Sequence, residues 1–328
     1  QCGNEKKQHF TCKSKFCSAC GKKSTDQWIE TQLEVLPDTQ WQHITFTMPD
    51  VLWKVFMDHR YLQTHLFKAA ANGLLRKGKK KGVLLGIFAV LHTFGRDLKQ
   101  NVHIHLSSTC GGITPNGGWK KLTFHAQSLM KQWRYAVIEL LRKHQNTLKL
   151  PSQLKDEKAR QAFFSKEYDK HWHVWVSPAE KNHNRHINYL GRYLKRPPIA
   201  LSRLVYADKE KVVFKYYDHT SKQHRRFVCT PEEFTDRLLQ HVPEKGCQMI
   251  RYFGFLANRV RAKWLPQVYR ALQQTPKAPK QLTFAALFQA SWGDHPYTCM
   301  HCKTEMELAR QKVGKSLCQL YQYYGKAY

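Results

Sequence analysis

Three groups of side chains in this sequence have types and spacings that could do chemistry. In Val102-His103-Ile104-His105-Leu106 apolar residues alternate with two imidazoles, so a strand here turns both rings to one face. Two neutral imidazoles about 7 Å apart along a strand can converge on one divalent cation. His92, eleven residues before His103, is a third candidate ligand if a hairpin centred near Asp97 and Leu98 sets the two opposite each other, with His43 and His186 as other candidates. His171-Trp172-His173 is a rival pair. The second group is Tyr189 and Tyr193, which continue a polar stripe with Asn182 and His186 on a helix whose other face carries Ile187, Leu190 and Leu194. Two tyrosines one turn apart are ordinarily packing residues. Beside a metal-binding strand their phenolic oxygens could attack a phosphodiester, with Arg192, Lys195 and Arg196 placed to hold phosphates.

The third group is cysteine. Cys2, Cys12, Cys17 and Cys20 lie in Lys-, Ser- and Gly-rich sequence without a hydrophobic run, so this segment has little to fold around except a metal. Four thiolates at about 2.3 Å from one Zn²⁺ would supply that core. Cys17-x-x-Cys20-Gly21 is the strongest part of the set, although the sequence starts at Gln1 and reads as truncated, so an upstream cysteine could take the place of Cys2. Cys299-x-x-Cys302 is a candidate second zinc pair, with Cys318, Cys247, His295 or His301 as completing ligands.

These groups need a scaffold, and the chain has the material for one. It has 328 residues, of which 42% are hydrophobic and 12% aromatic, enough for packed cores. The formal charge of +30, from 54 Lys and Arg against 24 Asp and Glu, points to a polyanionic partner and away from an ordinary neutral metabolic enzyme. The longest uncharged apolar run, Val83 to Leu91, falls far short of the roughly 20 residues of a membrane helix, so no membrane partner is expected.

The patterns predict a helix over 26–36, a strand over 41–48, helices over 51–60 and 62–76, strands over 86–94 and 101–107, a helix over 122–144, a strand over 171–176 and a helix over 182–195 stopped by Pro197-Pro198. Strand, helix, strand, strand, helix, strand is the split βαβ order of a ferredoxin-like antiparallel sheet, in which the first and third strands are central. The fold class is therefore α+β, and His103 and His105 fall in mid-sheet. A hairpin of 205–217 with 224–230, a helix from Pro231 and a strand-to-helix turn at 249–254 follow. The expected domains are a zinc-binding module over 1–28, a catalytic sheet over 29–200, a hairpin and helical DNA-binding extension over 201–276 that includes Arg259 and Arg261, and a tail over 277–328.

The run Asn101-Val102-His103-Ile104-His105-Leu106, followed by Tyr189-Leu190-Gly191-Arg192-Tyr193-Leu194-Lys195-Arg196-Pro197-Pro198, resembles the two-tyrosine HUH transposases of bacterial insertion sequences, the insertion-sequence-ninety-one family. The segment from Phe10 to Lys23 is similar to that family's N-terminal zinc-binding region, and Leu91-His92-Thr93-Phe94-Gly95 and the run from Arg251 to Arg259 match its typical segments. The resemblance spans about Cys2 to Arg261. It implies an HUH-type sheet, a C-terminal mainly helical region and a rolling-circle transposase in the bacterial cytoplasm, at the nucleoid. It would cleave and rejoin single-stranded DNA at transposon ends and targets through 5′-phosphotyrosine linkages, with Tyr189 and Tyr193 as nucleophiles. Mg²⁺ or Mn²⁺ at His103, His105 and His92, and Zn²⁺ at the N-terminal cysteines, would be its metals. A plasmid relaxase or replication initiator would share this chemistry, whereas a zinc-containing nucleic-acid-binding protein without chemistry would leave both the His and the Tyr pair unexplained.

Overall fold

A computed structural model of the chain describes residues 2–6, 17–149, 156–194, 197–218, 221–244, 246–277 and 282–307, with the side chains of 18, 19, 183, 189, 190 and 192–194 outside that description. Residues 11–281 form one compact unit; 1–10 and 282–328 form another.

The larger unit is built on an antiparallel sheet. Its strands are β1 (Trp41–Phe46), β2 (Leu84–Phe94), β3 (Gln100–Ile113), β5 (Val174–Val176) and β9 (Ile250–Gly254), in the order β5-β1-β3-β2-β9, with the short β4 (Trp119–Lys121) pairing the end of β3. The first four strands in that order have the expected ferredoxin-like arrangement, with β1 and β3 inside. β9 adds a further strand on the β2 side, so a segment expected in the DNA-binding extension belongs to the sheet. Gly254 makes that junction: its φ is +62°, and a Cβ there would run into the Leu85 carbonyl.

Period-two alternation gives the sheet two different faces. Ile44, Phe46, Ile87, Ala89, Leu91, Ile104 and Leu106 face one core, shared with α2 (Trp53–Asp58), α3 (Arg60–Lys80), α4 (Ala126–His144) and α5 (Glu157–Asp169) through Phe56, Phe67, Leu74, Trp133 and Phe164. On the opposite face Trp41, Phe88 and Val90 pack with Trp28 and Ile29 of α1 (Ser18–Val35), Ile187 of α6 (His183–Leu194) and Val268 of α8 (Asn258–Ala271). The helix expected over 26–36 begins earlier, because the Cys17 sulfur accepts the Cys20 amide and caps its first turn.

A small sheet of β6 (Leu204–Ala207), β7 (Val212–Asp218) and β8 (Gln223–Cys229) has its own core of Ile199, Val212, Phe214 and Cys229, flanked by α7 (Pro231–Leu239). The expected two-stranded hairpin is thus three-stranded, since Asp208 accepts the amides of Glu210 and Lys211 and turns the chain within 205–217. Thr230 caps α7 by accepting the Glu233 amide, with Pro231 at its start.

The smaller unit holds the segment around Cys2 and, after α9 (Phe284–Trp292), the Cys299-x-x-Cys302 turn. Among the described residues no helix is long and apolar enough to cross a membrane.

Candidate metal centre

The register of β2 against β3 pairs His92 with His103 directly, and His105 follows on the same face two residues along. Nitrogens of His92, His103 and His105 all lie within 4.8 Å of one another. His103 Nε2 and His105 Nε2 are 3.1 Å apart, close to the roughly 3.0 Å between neighbouring ligands around an octahedral ion with 2.1 Å bonds. His92 stands edge-on to both rings, at 5.3 Å from His103 and 4.7 Å from His105 between centroids. His92 and His103 are buried, while His105 remains partly accessible.

The hydrogen bonds around the rings fix which nitrogens are available. His103 Nδ1 lies 2.8 Å from the Asn101 carbonyl oxygen, so Nδ1 carries the proton and Nε2 keeps its lone pair for the cluster. His105 Nδ1 faces His43 Nε2 at 3.1 Å and the Thr45 hydroxyl at 3.3 Å. His43, one of the alternative third ligands, therefore backs His105 from the side away from the cluster, as β1 pairs β3 with Thr45 opposite His105. Burial lowers the His103 pKa from 6.5 to about 4. Burial, and secondarily charge on His103, does the same to His43. Burial also holds His105 well below the ordinary value, with His92, His103 and His43 adding to the effect. At neutral pH these three rings are uncharged, the state in which a histidine can ligate a metal.

The turn that sets the His92–His103 register carries no favourable turn dipeptide. Leu98 occupies it with φ +63° and is fully buried in the core of the small sheet, and its carbonyl accepts from His241 Nε2 at 3.0 Å and from Gln240 Nε2 at 3.2 Å. Burial of Leu98 offsets a backbone conformation that a γ-branched residue rarely adopts.

The other expected participants are placed as follows. His186 is buried and stacks on Trp41 at 5.7 Å with 22° between planes, so α6 lies on the sheet face that carries the histidines. At position 191 a Cβ would overlap the Ile29 side chain of α1. His186 and positions 189 and 193 fall on the opposite side of the helix by its 100° turn per residue. The side chains of Tyr189, Arg192 and Tyr193, and residues Lys195 and Arg196, lie outside the described residues. His171 and His173 precede edge strand β5 and are exposed. Arg259 is exposed and Arg261 half-buried on α8. Trp175 is a residue that the sequence hardly marks: it is 53% exposed on β5 and leans on His43 at 6.0 Å. Its only signal was the alternation Val174-Trp175-Val176.

Comparison with known proteins matches residues 86–263 to a family model described as a putative transposase and residues 1–48 to a transposase zinc-binding domain of the IS91 type. The chain is 41% identical over 316 residues to the transposase of insertion sequence element IS801 from Pseudomonas savastanoi pv. phaseolicola, covering 93% of this chain and 77% of that protein. It is 31% identical to the putative transposase y4qJ of Sinorhizobium fredii, over 86% of this chain and 74% of that protein. This chain belongs to the IS91 family of transposases. No solved structure matches it. The match over 86–263 runs from β2 into α8 and so takes in the histidine cluster, α6 and the added strand β9 together.

The zinc-binding match of this IS91 member covers Cys2, Cys12, Cys17 and Cys20. Cys12 lies outside the described residues. Cys17 and Cys20 form the capped start of α1. Cys2 stands with Cys299 and Cys302, the three sulfurs being within 4.8 Å of one another. Cys110 and Cys229 are core residues, and burial pushes the Cys110 thiol up to about 12.

Proposed function

We propose that this IS91-family chain cleaves and rejoins single-stranded DNA at transposon ends, with Tyr189 and Tyr193 as successive nucleophiles and His92, His103 and His105 as ligands of a catalytic divalent cation. The observation that carries the reading is the convergence of those three histidines on the sheet face that α6 covers. Three imidazoles leave open positions on an octahedral ion, and an all-nitrogen protein set suits Mn²⁺ better than Mg²⁺. When bound, the ion would supply Lewis-acid polarisation of a non-bridging phosphate oxygen.

The chain's own residues do the rest. One phenolic oxygen attacks the scissile phosphorus, forming a phosphotyrosine bond to the 5′ side as the bond to the 3′ oxygen breaks. That oxygen leaves as a 3′-hydroxyl after taking a proton. One phosphoester replaces another, so no nucleotide hydrolysis is required, and reversal by a second 3′-hydroxyl rejoins strands. A second tyrosine lets a new strand be cut while the first linkage is kept. His43 and the Asn101 carbonyl hold His105 and His103 in orientation. Trp175, exposed beside His43, offers a face on which an unpaired base can stack, and Arg192, Lys195, Arg196, Arg259 and Arg261 would hold phosphates.

The test is a denaturing gel with Mn²⁺ and a labelled single-stranded oligonucleotide carrying the element's end. The wild type is expected to form a covalent adduct and the Tyr189→Phe/Tyr193→Phe protein none, with DNA binding retained. His103→Ala/His105→Ala should also lose the adduct, while Trp175→Ala keeps it but needs more DNA. An adduct persisting in the double Phe protein would place the nucleophile elsewhere, and none in any variant or the wild type would leave a DNA-binding protein without this chemistry.

A further inference from the structure

We propose that Cys2 and the Cys299-x-x-Cys302 turn hold one zinc ion between them, so that the smaller unit is closed by a metal site whose ligands come from the two ends of the sequence. Cys2 Sγ lies 3.6 Å from Cys299 Sγ and 3.3 Å from Cys302 Sγ. Tetrahedral Zn²⁺ with 2.3 Å bonds sets its sulfurs about 3.8 Å apart, so both separations from Cys2 lie within about half an ångström of those between thiolate ligands of one ion. A disulfide would need about 2.05 Å between two of them and would strand the third.

The backbone supports thiolates rather than packed thiols. Cys299 Sγ receives the amides of His301 and Cys302. Cys302 Sγ receives the Thr304 amide, with the Thr304 hydroxyl at 3.0 Å. The Asn4 amide points at Cys2 Sγ. A tight turn fixes these donors: the Lys303 amide bonds the Cys299 carbonyl at 3.1 Å, the Cys299 amide bonds the Thr304 carbonyl at 2.9 Å, and Thr298 bridges Glu305. Cys17-x-x-Cys20 shows the same device, the Cys20 amide donating to the Cys17 sulfur at 3.5 Å. Amides aimed at sulfur stabilise negative charge there, and zinc binding displaces the thiol protons. Among the described residues three donors converge; the fourth coordination position is open to a ligand outside them.

The site goes beyond the zinc-binding match over 1–48, because that segment holds only one of the three sulfurs. It also does not depend on the tyrosine chemistry, since its readout is metal content and thiol protection. The full chain, purified without chelator, is analysed for zinc by elemental mass spectrometry, and each cysteine is scored by alkylation and peptide mapping. Cys299→Ser/Cys302→Ser is expected to lose one equivalent of zinc per chain and to expose Cys2 to alkylation while Cys17 and Cys20 keep their protection. Cys2→Ser should reciprocally expose Cys299 and Cys302, which keeps the test decisive if the double variant folds poorly. Unchanged zinc content with Cys2 still protected in the double variant would overturn the proposal. So would a Cys2–Cys302 disulfide in the freshly purified wild type.

Discussion

His43, His103 and His105 are neutral for a reason that can be measured without DNA. In the unfolded chain a histidine titrates near 6.5; in the fold, burial brings His43 and His103 to about 4. Between those values the unfolded chain binds more protons, so acid favours unfolding. The metal-free protein should therefore keep its stability above about pH 6.5 and lose it progressively towards pH 4, by about 3 kcal/mol for each such ring. Denaturation midpoints in chelator at several pH values check this, and His43→Gln should flatten part of the slope. A midpoint that stays constant down to pH 4.5 would mean that the rings are not held neutral by burial.

At the scale of elements, the helix of the two tyrosines is positioned by contacts at Gly191 and His186, on opposite sides of it. Gly191 lets α6 approach α1 at Ile29, and His186 stacks on Trp41 at the start of β1. Alanine at 191 gains about 1 kcal/mol of helix propensity, yet its methyl group enters space held by the buried Ile29 side chain, at an overpacking cost of about 1–3 kcal/mol. Gly191→Ala is thus expected to destabilise the wild type by up to about 2 kcal/mol and to be neutral or stabilising in an Ile29→Ala background. A chemical-denaturation double-mutant cycle measures the coupling, and equal effects in both backgrounds would remove the α1–α6 contact as the cause. The β2–β3 hairpin is likewise held from outside, by Leu98 buried in the core of the small sheet.

For the whole molecule the dominant quantity is the charge of +30. Each phosphate neutralised releases condensed counterions, so affinity for DNA should fall linearly with salt on logarithmic axes. With six phosphates contacted the loss between 50 and 200 mM salt is on the order of a thousandfold, less on single strands than on duplex. Anisotropy titrations across that range test it; an affinity indifferent to salt would assign the charge to something other than nucleic acid. The same titration on the His103→Ala/His105→Ala protein should give nearly the wild-type slope, because two uncharged rings add nothing to the counterion count.

The sequence by itself determined the local chemistry: the period-two run 101–106 put His103 and His105 on one face, the order of strands and helices gave the ferredoxin-like sheet, and the spacing of His92 from His103 suggested their pairing across a hairpin. These are short-range properties, set by backbone periodicity and the nearest turn. Tertiary structure decided what depends on contacts distant in sequence. Pairing of β1 with β3 made His43 the support of His105, and β9 joined the sheet from more than 150 residues beyond β2. Leu98 could hold a left-handed turn only because a core built from residues 199–229 receives it. Cys2 met Cys299 and Cys302 across nearly the whole chain. A cysteine carries no periodicity that names its partner, so only folding brings such ligands together.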